Sequence, residues 1–153
     1  MRYGPERRLV RKVVGYVVQD EQLLVFAHDD VPLEVAGIQV PAGSVEPGEE
    51  PADAVVREVA EETGIDVRVV ASLGTGEFDV WPSKPEVHER HFFQLEPIQP
   101  VRDVRWAAGE DRPSDGGGAQ SWTCFWIPLT QGHVLCAGFS ARLGQVVADT
   151  TQA

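Results

Sequence analysis

The chain has 153 residues, of which 42% are hydrophobic and 24% are charged, and its formal net charge is −11. This length predicts one domain, residues 1–153, and is sufficient to bury a hydrophobic core. The excess of 24 acidic over 13 basic residues repels phosphate backbones and anionic lipid surfaces, so no nucleic-acid or membrane partner is expected.

The apolar segments and the cysteines of the sequence predict neither a membrane span nor a disulfide framework. No long apolar run follows the basic segment 1–12, and no stretch approaches the roughly 20 apolar residues of a membrane span. A cytoplasmic location is therefore expected. The two cysteines, Cys124 and Cys136, are too few for a disulfide framework and lack the spacing of a zinc site, which predicts free thiols.

Valine-rich and aromatic segments predict that most of the chain is β-structure. In chain order, strands are expected at residues 10–18, 23–28, 38–40, 87–97 and 121–129. Residues 66–80 alternate in polarity but contain two glycines, which predicts a strand, a turn and another strand. Residues 29–37, 81–86 and 101–120 carry proline, glycine and charge, and are expected to be loops.

Two segments have helical character. Pro51 to Thr63 is composed of helix-forming residues, opens with a proline and is followed by Gly64, which suits the position just beyond a helix end. Residues 133–148 place apolar side chains at helical spacing, namely Leu135, Phe139, Leu143 and Val146. Many strands with two helices predict a mixed sheet covered by helices.

Three carboxylates share one side of the first helix. At about 100° per residue, Glu58, Glu61 and Glu62 fall within an arc of roughly 100°, beside an apolar arc that includes Val55 and Val59. The carboxylates should therefore line the rim where the helix meets the sheet. They are either a solvated helix face or ligands of a divalent cation, which would relieve their mutual repulsion.

Residues before and within the helix fit the second interpretation. Gly43 allows close approach to the backbone, so a carbonyl just before it is a further candidate ligand. Arg57 lies on a different arc from Glu58, and we expect it to pair with Glu49 across the preceding loop. That role is structural and does not involve direct contact with phosphate.

Residues 43–65 resemble the Nudix box, G-x5-E-x7-R-E-U-x-E-E-x-G-U, in which U is a bulky aliphatic residue. Every fixed position is matched, by Gly43, Glu49, Arg57, Glu58, Val59, Glu61, Glu62, Gly64 and Ile65. The glycines, the arginine and the spacing are not explained by a solvated helix face, so the match favours the metal site. The order of the other elements extends the resemblance over residues 8–147 and implies a Nudix-type α/β/α sandwich around a mixed β-sheet.

The resemblance implies a Mg²⁺- or Mn²⁺-dependent enzyme that hydrolyses a nucleoside diphosphate linked to another moiety, X. Glu58 and Glu62 would be the main metal ligands, with Glu61 and the carbonyl of Ala42 as additional ones. The implied catalytic and structural residues are Glu58, Glu61, Arg57, Gly43, Glu49 and Gly64. The alternative is a Nudix-fold nucleotide-binding or sensor module without catalysis, but such a module would be expected to lose acids from the box.

The general base and the substrate stay open at this stage. The base is either a box glutamate or one of Glu77, Glu86 and Glu89. Glu89 is favoured because it lies closer than the others to the predicted strand residues 90–95, which should anchor it more firmly. Some Nudix subfamilies carry a proline or tyrosine at a set distance after the box, and by this resemblance the prolines in residues 80–86 imply an ADP-ribose-like or sugar-nucleotide substrate. A small-molecule nucleotide is the expected partner, and a homodimer is a further expectation.

Side chains outside the box are expected to serve the fold or the surface. Arg90 and Lys84 are interpreted as solvated charges, and the four histidines have no ligand spacing. The aromatic residues of the last strand, Trp122, Phe125 and Trp126, alternate as core residues do and are expected to pack rather than to stack on a base.

Overall fold

The computed structural model describes residues 6–29, 37–110, 120–134 and 142–146. Within these residues the chain forms seven strands, one α-helix and two short 3-10 helices. The strands are β1 (Arg8–Gln19), β2 (Gln22–His28), β3 (Ala42–Ser44), β4 (Val67–Asp79), β5 (Glu86–Pro97), β6 (Arg105–Glu110) and β7 (Gln120–Pro128). The α-helix is α1 (Pro51–Thr63), and the 3-10 helices are Leu129–Val134 and Leu143–Gln145.

The strands form a single mixed sheet in the order β4-β5-β1-β2-β7-β6, with β3 paired to β1. The β1–β5 pair is parallel, and the other pairs are antiparallel. The hairpin turn between β1 and β2 contains Asp20 and Glu21, both at positive φ. In this strand order β1 lies between β5 and β2. Strand β3 pairs with the same edge of β1 as β2 does.

Helix α1 covers one face of the sheet. Its buried residues Ala54, Val55 and Val59 pack with Val13 and Leu95 in one hydrophobic cluster. Gly15 of β1 lies under the helix, and a Cβ there would stand 3.0 Å from methyl carbons of both Leu95 and Val55. A larger residue would push the helix away from the sheet.

The opposite face has its own cluster, built on Val14, Tyr16 and Phe92, against which Leu143 and Val146 pack. The predicted α/β sandwich around a mixed sheet is confirmed. The predicted second helix lies mostly outside the described residues. Its described part forms a short 3-10 helix followed by extended backbone at Val146 (φ −71, ψ 136).

Three predictions about strands are wrong. Residues 38–40 form no strand but isolated bridges at Ile38 and Gln39, the latter to Phe26. The ladder with β1 forms instead at Ala42–Ser44. Residues 67–79 are one strand. Its pairing with β5 is irregular between Val69 and Ala71 and between Ser72 and Thr75, and the second irregularity accommodates Gly74 (φ 94) without a turn. Strand β6 lies within residues 101–120, which were expected to be a loop. It forms because it pairs with β7, and the local sequence does not show which segment will supply that partner.

Two smaller observations complete the fold. Cys124 is buried and free, as predicted, whereas Cys136 lies outside the described residues. In the described part of the chain, no helix is both long enough and apolar enough to cross a membrane.

Candidate active site

Helix α1 has the bounds predicted from sequence. Pro51 occupies the first turn, where its missing N–H is not needed. Gly64 follows the last turn in the left-handed conformation (φ 77), and its N–H donates to the Ala60 carbonyl at 2.9 Å. These two ends fix which residues face the sheet and therefore where the carboxylates emerge.

The carboxyl-terminal end of α1 is held by two indoles. Trp122 donates from Nε1 to the Glu62 carbonyl at 2.6 Å, and Trp106 donates from Nε1 to the Thr63 carbonyl at 2.9 Å. The last carbonyls of a helix have no partner within it, so these bonds satisfy groups that would otherwise need water. Trp122 is buried, as predicted, but its role in anchoring the helix was not visible in the sequence.

Gly43 and Glu58 are in direct contact. Gly43 pairs with Val13 in the β1–β3 ladder, and a Cβ added to it would overlap the carboxyl group of Glu58. Glu58 thus occupies the space that any other residue at position 43 would fill. The glycine of the motif is required here by close approach and not by an unusual backbone angle.

Glu62 reaches the adjacent residue. Its Oε1 accepts a hydrogen bond from the backbone N–H of Ala42 at 2.9 Å. Ala42 pairs with Val14, and in an antiparallel ladder the N–H and C=O of one residue point to the same side. The Ala42 carbonyl therefore faces away from β1, towards the side where the Glu62 carboxylate lies.

Arg57 connects the loop, β3 and the helix. Its Nε and Nη2 each lie 2.9 Å from an oxygen of Glu49, as the sequence predicts for a structural pair. Nη2 also donates to the Ser44 carbonyl at 3.0 Å, and Nη1 donates to Glu58 at 2.9 Å. Glu61 lies farther from Nη1, at 3.3 Å, and most of its side chain is exposed.

These contacts change the protonation of the carboxylates. Burial raises the pKa of Glu58, while hydrogen bonds from Arg57 oppose the shift and the charges of Glu61 and Glu49 add to it. Hydrogen bonding to Arg57 lowers the pKa of Glu49 to about 2. Glu49 is thus firmly ionised, whereas Glu58 is a carboxylate whose charge is only partly compensated by protein groups.

The donor chemistry at this site suits a hard divalent cation. Carboxylate and carbonyl oxygens are the ligands that Mg²⁺ and Mn²⁺ prefer, and Glu58, Glu62 and the Ala42 carbonyl are gathered along β3. As they stand, no three His, Cys, Asp or Glu side chains among the described residues converge closely enough to hold a metal ion. Arg57 now holds Glu58, so a bound cation would compete with this guanidinium.

We predict that Arg57 and Glu49 act as one unit. Arg57→Ala should lower both the thermal midpoint and turnover, because it frees Glu49, Ser44 and Glu58 together, and Glu49→Ala should reproduce part of that loss. The double variant should cost less than the sum of the single variants, as expected for residues that share an interaction. Thermal unfolding and turnover of all four proteins provide the measurement.

The exposed pair Arg68–Glu96, at 2.8 Å, is the matched control for this cycle. Exposed ion pairs contribute little to stability, so its cycle should show little coupling and normal turnover. Additive effects at Arg57 and Glu49 would contradict a shared role.

The three base candidates outside the box lie in strands: Glu77 in β4, and Glu86 and Glu89 in β5. Glu86 was expected at the end of the loop 81–86, so that prediction is wrong, whereas Glu89 lies in a strand as predicted. Arg8 binds Glu86 at 2.6 Å and His88 binds it at 3.0 Å, and these bonds lower the pKa of Glu86 to about 2. So low a pKa makes a weak base near neutral pH.

Glu89 lies on the other face of β5, since alternate residues of a strand face opposite sides. It contacts His91 at 2.8 Å and Arg11 at 3.9 Å, and it stands opposite Glu77 in the β4–β5 ladder. These contacts tie Glu89 to neighbouring strands. Its role as the base stays a prediction.

A cavity of about 250 Å³ adjoins the box. Ala42, Gly43 and Glu62 lie at its wall together with cationic or titratable side chains, which are Lys12, His88 and Arg90. Arg90 is partly buried, with its guanidinium carbon 4.3 Å from the centre of the Phe78 ring, and is thus less exposed than the solvated charge expected from sequence, whereas Lys84 is exposed, as expected. The parallel pairing of β1 with β5 gathers these residues, and no local pattern predicts that register.

The family model for the NUDIX domain matches residues 9–149. The chain is also 40% identical over 55 residues to an RNA pyrophosphohydrolase of Cereibacter sphaeroides. That match covers 36% of this chain and 34% of the relative, so the chain spans about a third of the length of the curated relatives it matches.

Solved structures share the fold at low sequence identity. A NUDIX hydrolase from Nitrosomonas europaea superimposes with a TM-score of 0.61 at 20% identity, covering 90% of this chain and 87% of that chain. An ADP-ribose pyrophosphatase from Streptococcus suis gives a TM-score of 0.59 at 16% identity, covering 88% of this chain and 87% of that chain. The matched domain, the complete box and the geometry around Gly43 agree: the chain belongs to the Nudix family.

Proposed function

We propose that this protein is a divalent-metal-dependent pyrophosphohydrolase that cleaves a nucleoside diphosphate linked to another moiety. The observation that carries the proposal is the arrangement at β3, where Glu58 rests against Gly43 and Glu62 binds the N–H of Ala42. Of these groups, Ala42, Gly43 and Glu62 line the adjoining cavity, and Glu58 lies behind Gly43. The pyrophosphohydrolase names of similar proteins support the same reaction class.

In this proposal Glu58, Glu62 and the Ala42 carbonyl are the main metal ligands, and Glu61 is an additional one. A bound Mg²⁺ or Mn²⁺ would neutralise the substrate's phosphates and lower the pKa of a coordinated water. The chain's own contribution is positional. Arg57 fixes the loop to the helix, and the indoles of Trp122 and Trp106 fix the helix end.

The base that accepts the proton of the attacking water is proposed to be Glu89, with Glu61 as the box alternative. Glu86 is disfavoured because its contacts with Arg8 and His88 lower its pKa to about 2, which makes it a weak proton acceptor. Turnover of Glu89→Gln and Glu61→Gln across pH, at saturating metal, separates the two. If Glu89 is the base, Glu89→Gln should lose turnover and flatten the acidic limb of the profile with little change in metal affinity. If Glu89→Gln keeps normal turnover and pH dependence while Glu61→Gln flattens that limb, the base is Glu61.

Metal dependence is the direct test of the proposed reaction. Phosphate release from a panel of nucleotide derivatives should require Mg²⁺ or Mn²⁺, disappear with a chelator and return when metal is restored. The metal should also raise the thermal midpoint, because it binds the folded state in preference to the unfolded one.

Full activity in the presence of a chelator would contradict the proposed metal dependence. Nucleotide binding without any phosphate release would favour the non-catalytic sensor module. The same panel addresses the substrate, for which the sequence predicts an ADP-ribose-like or sugar nucleotide. The cytoplasmic location, the homodimer and the absence of nucleic-acid and membrane partners remain predictions.

A further inference from the structure

Strand β5 carries two glutamate–histidine pairs, one on each of its faces. In each pair the histidine follows the glutamate by two residues and contacts it. His88 Nε2 lies 3.0 Å from Oε1 of Glu86, and His91 Nε2 lies 2.8 Å from Oε1 of Glu89. Alternate residues of a strand face opposite sides of a sheet, so the surroundings of the two pairs differ.

The Glu89–His91 pair faces the side of the sheet that carries helix α1. His91 pairs with Val13 in the β1–β5 ladder, and Val13 packs in the hydrophobic cluster beneath that helix. Val13 also pairs with Gly43, against which the Glu58 carboxyl group rests. Neighbouring strands lie about 4.8 Å apart, so the backbones at His91 and Gly43 are about 10 Å apart. The attacked phosphorus and its water have to lie between these positions if Glu89 is the base.

The Glu86–His88 pair has the same spacing but a different charge environment. Arg8 contacts Glu86 at 2.6 Å, and hydrogen bonds from Arg8 and His88 lower the pKa of Glu86 to about 2. The arginine beside Glu89 is Arg11, whose Nε lies 3.9 Å from Oε1, too far for a hydrogen bond. Glu89 is therefore held mainly by its histidine, whereas Glu86 is held by a guanidinium as well.

The contacts of Glu89 hold one oxygen and leave the other open. Among the described residues, its carboxylate has contacts from His91 and Arg11, and both reach Oε1. Glu77 stands opposite Glu89 in the β4–β5 ladder and is a carboxylate, which accepts hydrogen bonds and does not donate them when ionised. For the same reason, His91 Nε2 carries the proton of the bond to an ionised Glu89. Oε2 is left to accept a proton from water.

We propose that His91 is a positioning residue for the general base Glu89, and that its Nε2–H holds Oε1 so that Oε2 faces the attacking water. This inference rests on the proposed function, with Glu89 as the base. In the step, the water O–H bond breaks and its proton goes to Oε2, while the water oxygen bonds to phosphorus. The anhydride P–O bond breaks with its electron pair on the leaving phosphate. His91 keeps its own proton and favours the ionised form of the base beforehand.

His91→Phe keeps a ring of similar size and removes the donor. For ADP-ribose and adenosine triphosphate at saturating Mg²⁺, kcat should fall about tenfold or more, the scale of one lost hydrogen bond to a charged group. KM should change little, because His91 acts through Glu89 and not on the substrate. The acidic limb of the kcat profile should move to higher pH, since the lost donor favoured the ionised carboxylate. His91→Gln supplies an amide N–H and should restore most of kcat and the original limb.

A double-mutant cycle shows whether His91 acts through Glu89. Once Glu89→Gln has removed the base, His91→Phe should have almost no further effect on kcat. His88→Phe is the matched control, because His88 belongs to the pair on the other face of β5. It should change kcat by the same factor with and without Glu89→Gln. Thermal unfolding of each variant gives the temperature below which these rates are compared.

The positioning role and the proposed function fail in different ways. Normal turnover in Glu89→Gln, an equal loss from His91→Phe in both backgrounds, or an unmoved acidic limb would overturn the role of His91 and leave the proposed function intact. If the unmodified protein released no phosphate from any nucleotide derivative with Mg²⁺ or Mn²⁺, the proposed function would fail, and the role of His91 would fall with it.

Discussion

Glu62→Gln is expected to lower turnover by about 10³-fold, on the scale of losing a main electrostatic contributor to the transition state. Glutamine keeps the volume of the side chain, and its amide oxygen can still accept the hydrogen bond from Ala42 N–H. The substitution thus removes the charge while it preserves the local structure. Loss of activity would report on metal binding and not on a misplaced loop.

Two further measurements support that interpretation. Affinity for Mn²⁺, measured by calorimetry or electron paramagnetic resonance, should fall together with turnover. The thermal midpoint without metal should hold or rise, because repulsion among the box carboxylates is reduced. Glu50→Gln is the matched control, since Glu50 is an acid beside the start of the same helix and away from the carboxylate cluster. Near-normal turnover in Glu62→Gln would contradict the ligand assignment.

Gly43→Ala is expected to lower turnover by about 10²-fold, the scale expected when a catalytic group is displaced by about 1 Å. The added methyl group would occupy the position of the Glu58 carboxyl group, so Glu58 has to move or β3 has to shift. The backbone at Gly43 does not need a positive φ, so conformational strain does not explain the loss. The change acts through the carboxylate.

The matched control for this variant is Gly144→Ala, because a Cβ at Gly144 would meet open space. It should leave turnover unchanged. Gly43→Ser should be worse than Gly43→Ala, since its side chain is larger. Turnover that survives Gly43→Ala together with normal Mn²⁺ affinity would show that the position of Glu58 is not critical.

The part of the site that sequence predicts is the part built from local contacts. The bounds of α1 follow from Pro51 and Gly64, and the pair formed by Arg57 and Glu49 is separated by only eight residues. Helix geometry and the spacing within the motif are enough to place such groups. The amino-acid sequence alone therefore predicts the bounds of the helix and the Arg57–Glu49 pair. It does not predict that Arg57 also binds Glu58, or that Glu62 accepts a hydrogen bond from Ala42.

The features that sequence did not predict depend on pairing between distant segments. Strand β6 forms because β7 lies beside it, and the single strand β4 depends on its irregular ladder with β5. Lys12 and Arg90 meet only through the parallel register of β1 and β5. Strand propensity says which residues suit a sheet but not which strands pair, so the cationic wall of the cavity was invisible in the sequence.

The two indole bonds at the end of α1 have a consequence for the order of folding. Trp122 and Glu62 are 60 residues apart in sequence, and Trp106 and Thr63 are 43 residues apart. The cost in chain entropy of closing such large loops is met before the contacts can form. The helix can form early from local interactions. The position of Glu62 is fixed only when β6 and β7 pack against the end of the helix and their indoles bind its last carbonyls. The carboxylate arrangement of the proposed metal site should therefore be completed late in folding, after the helix itself is present.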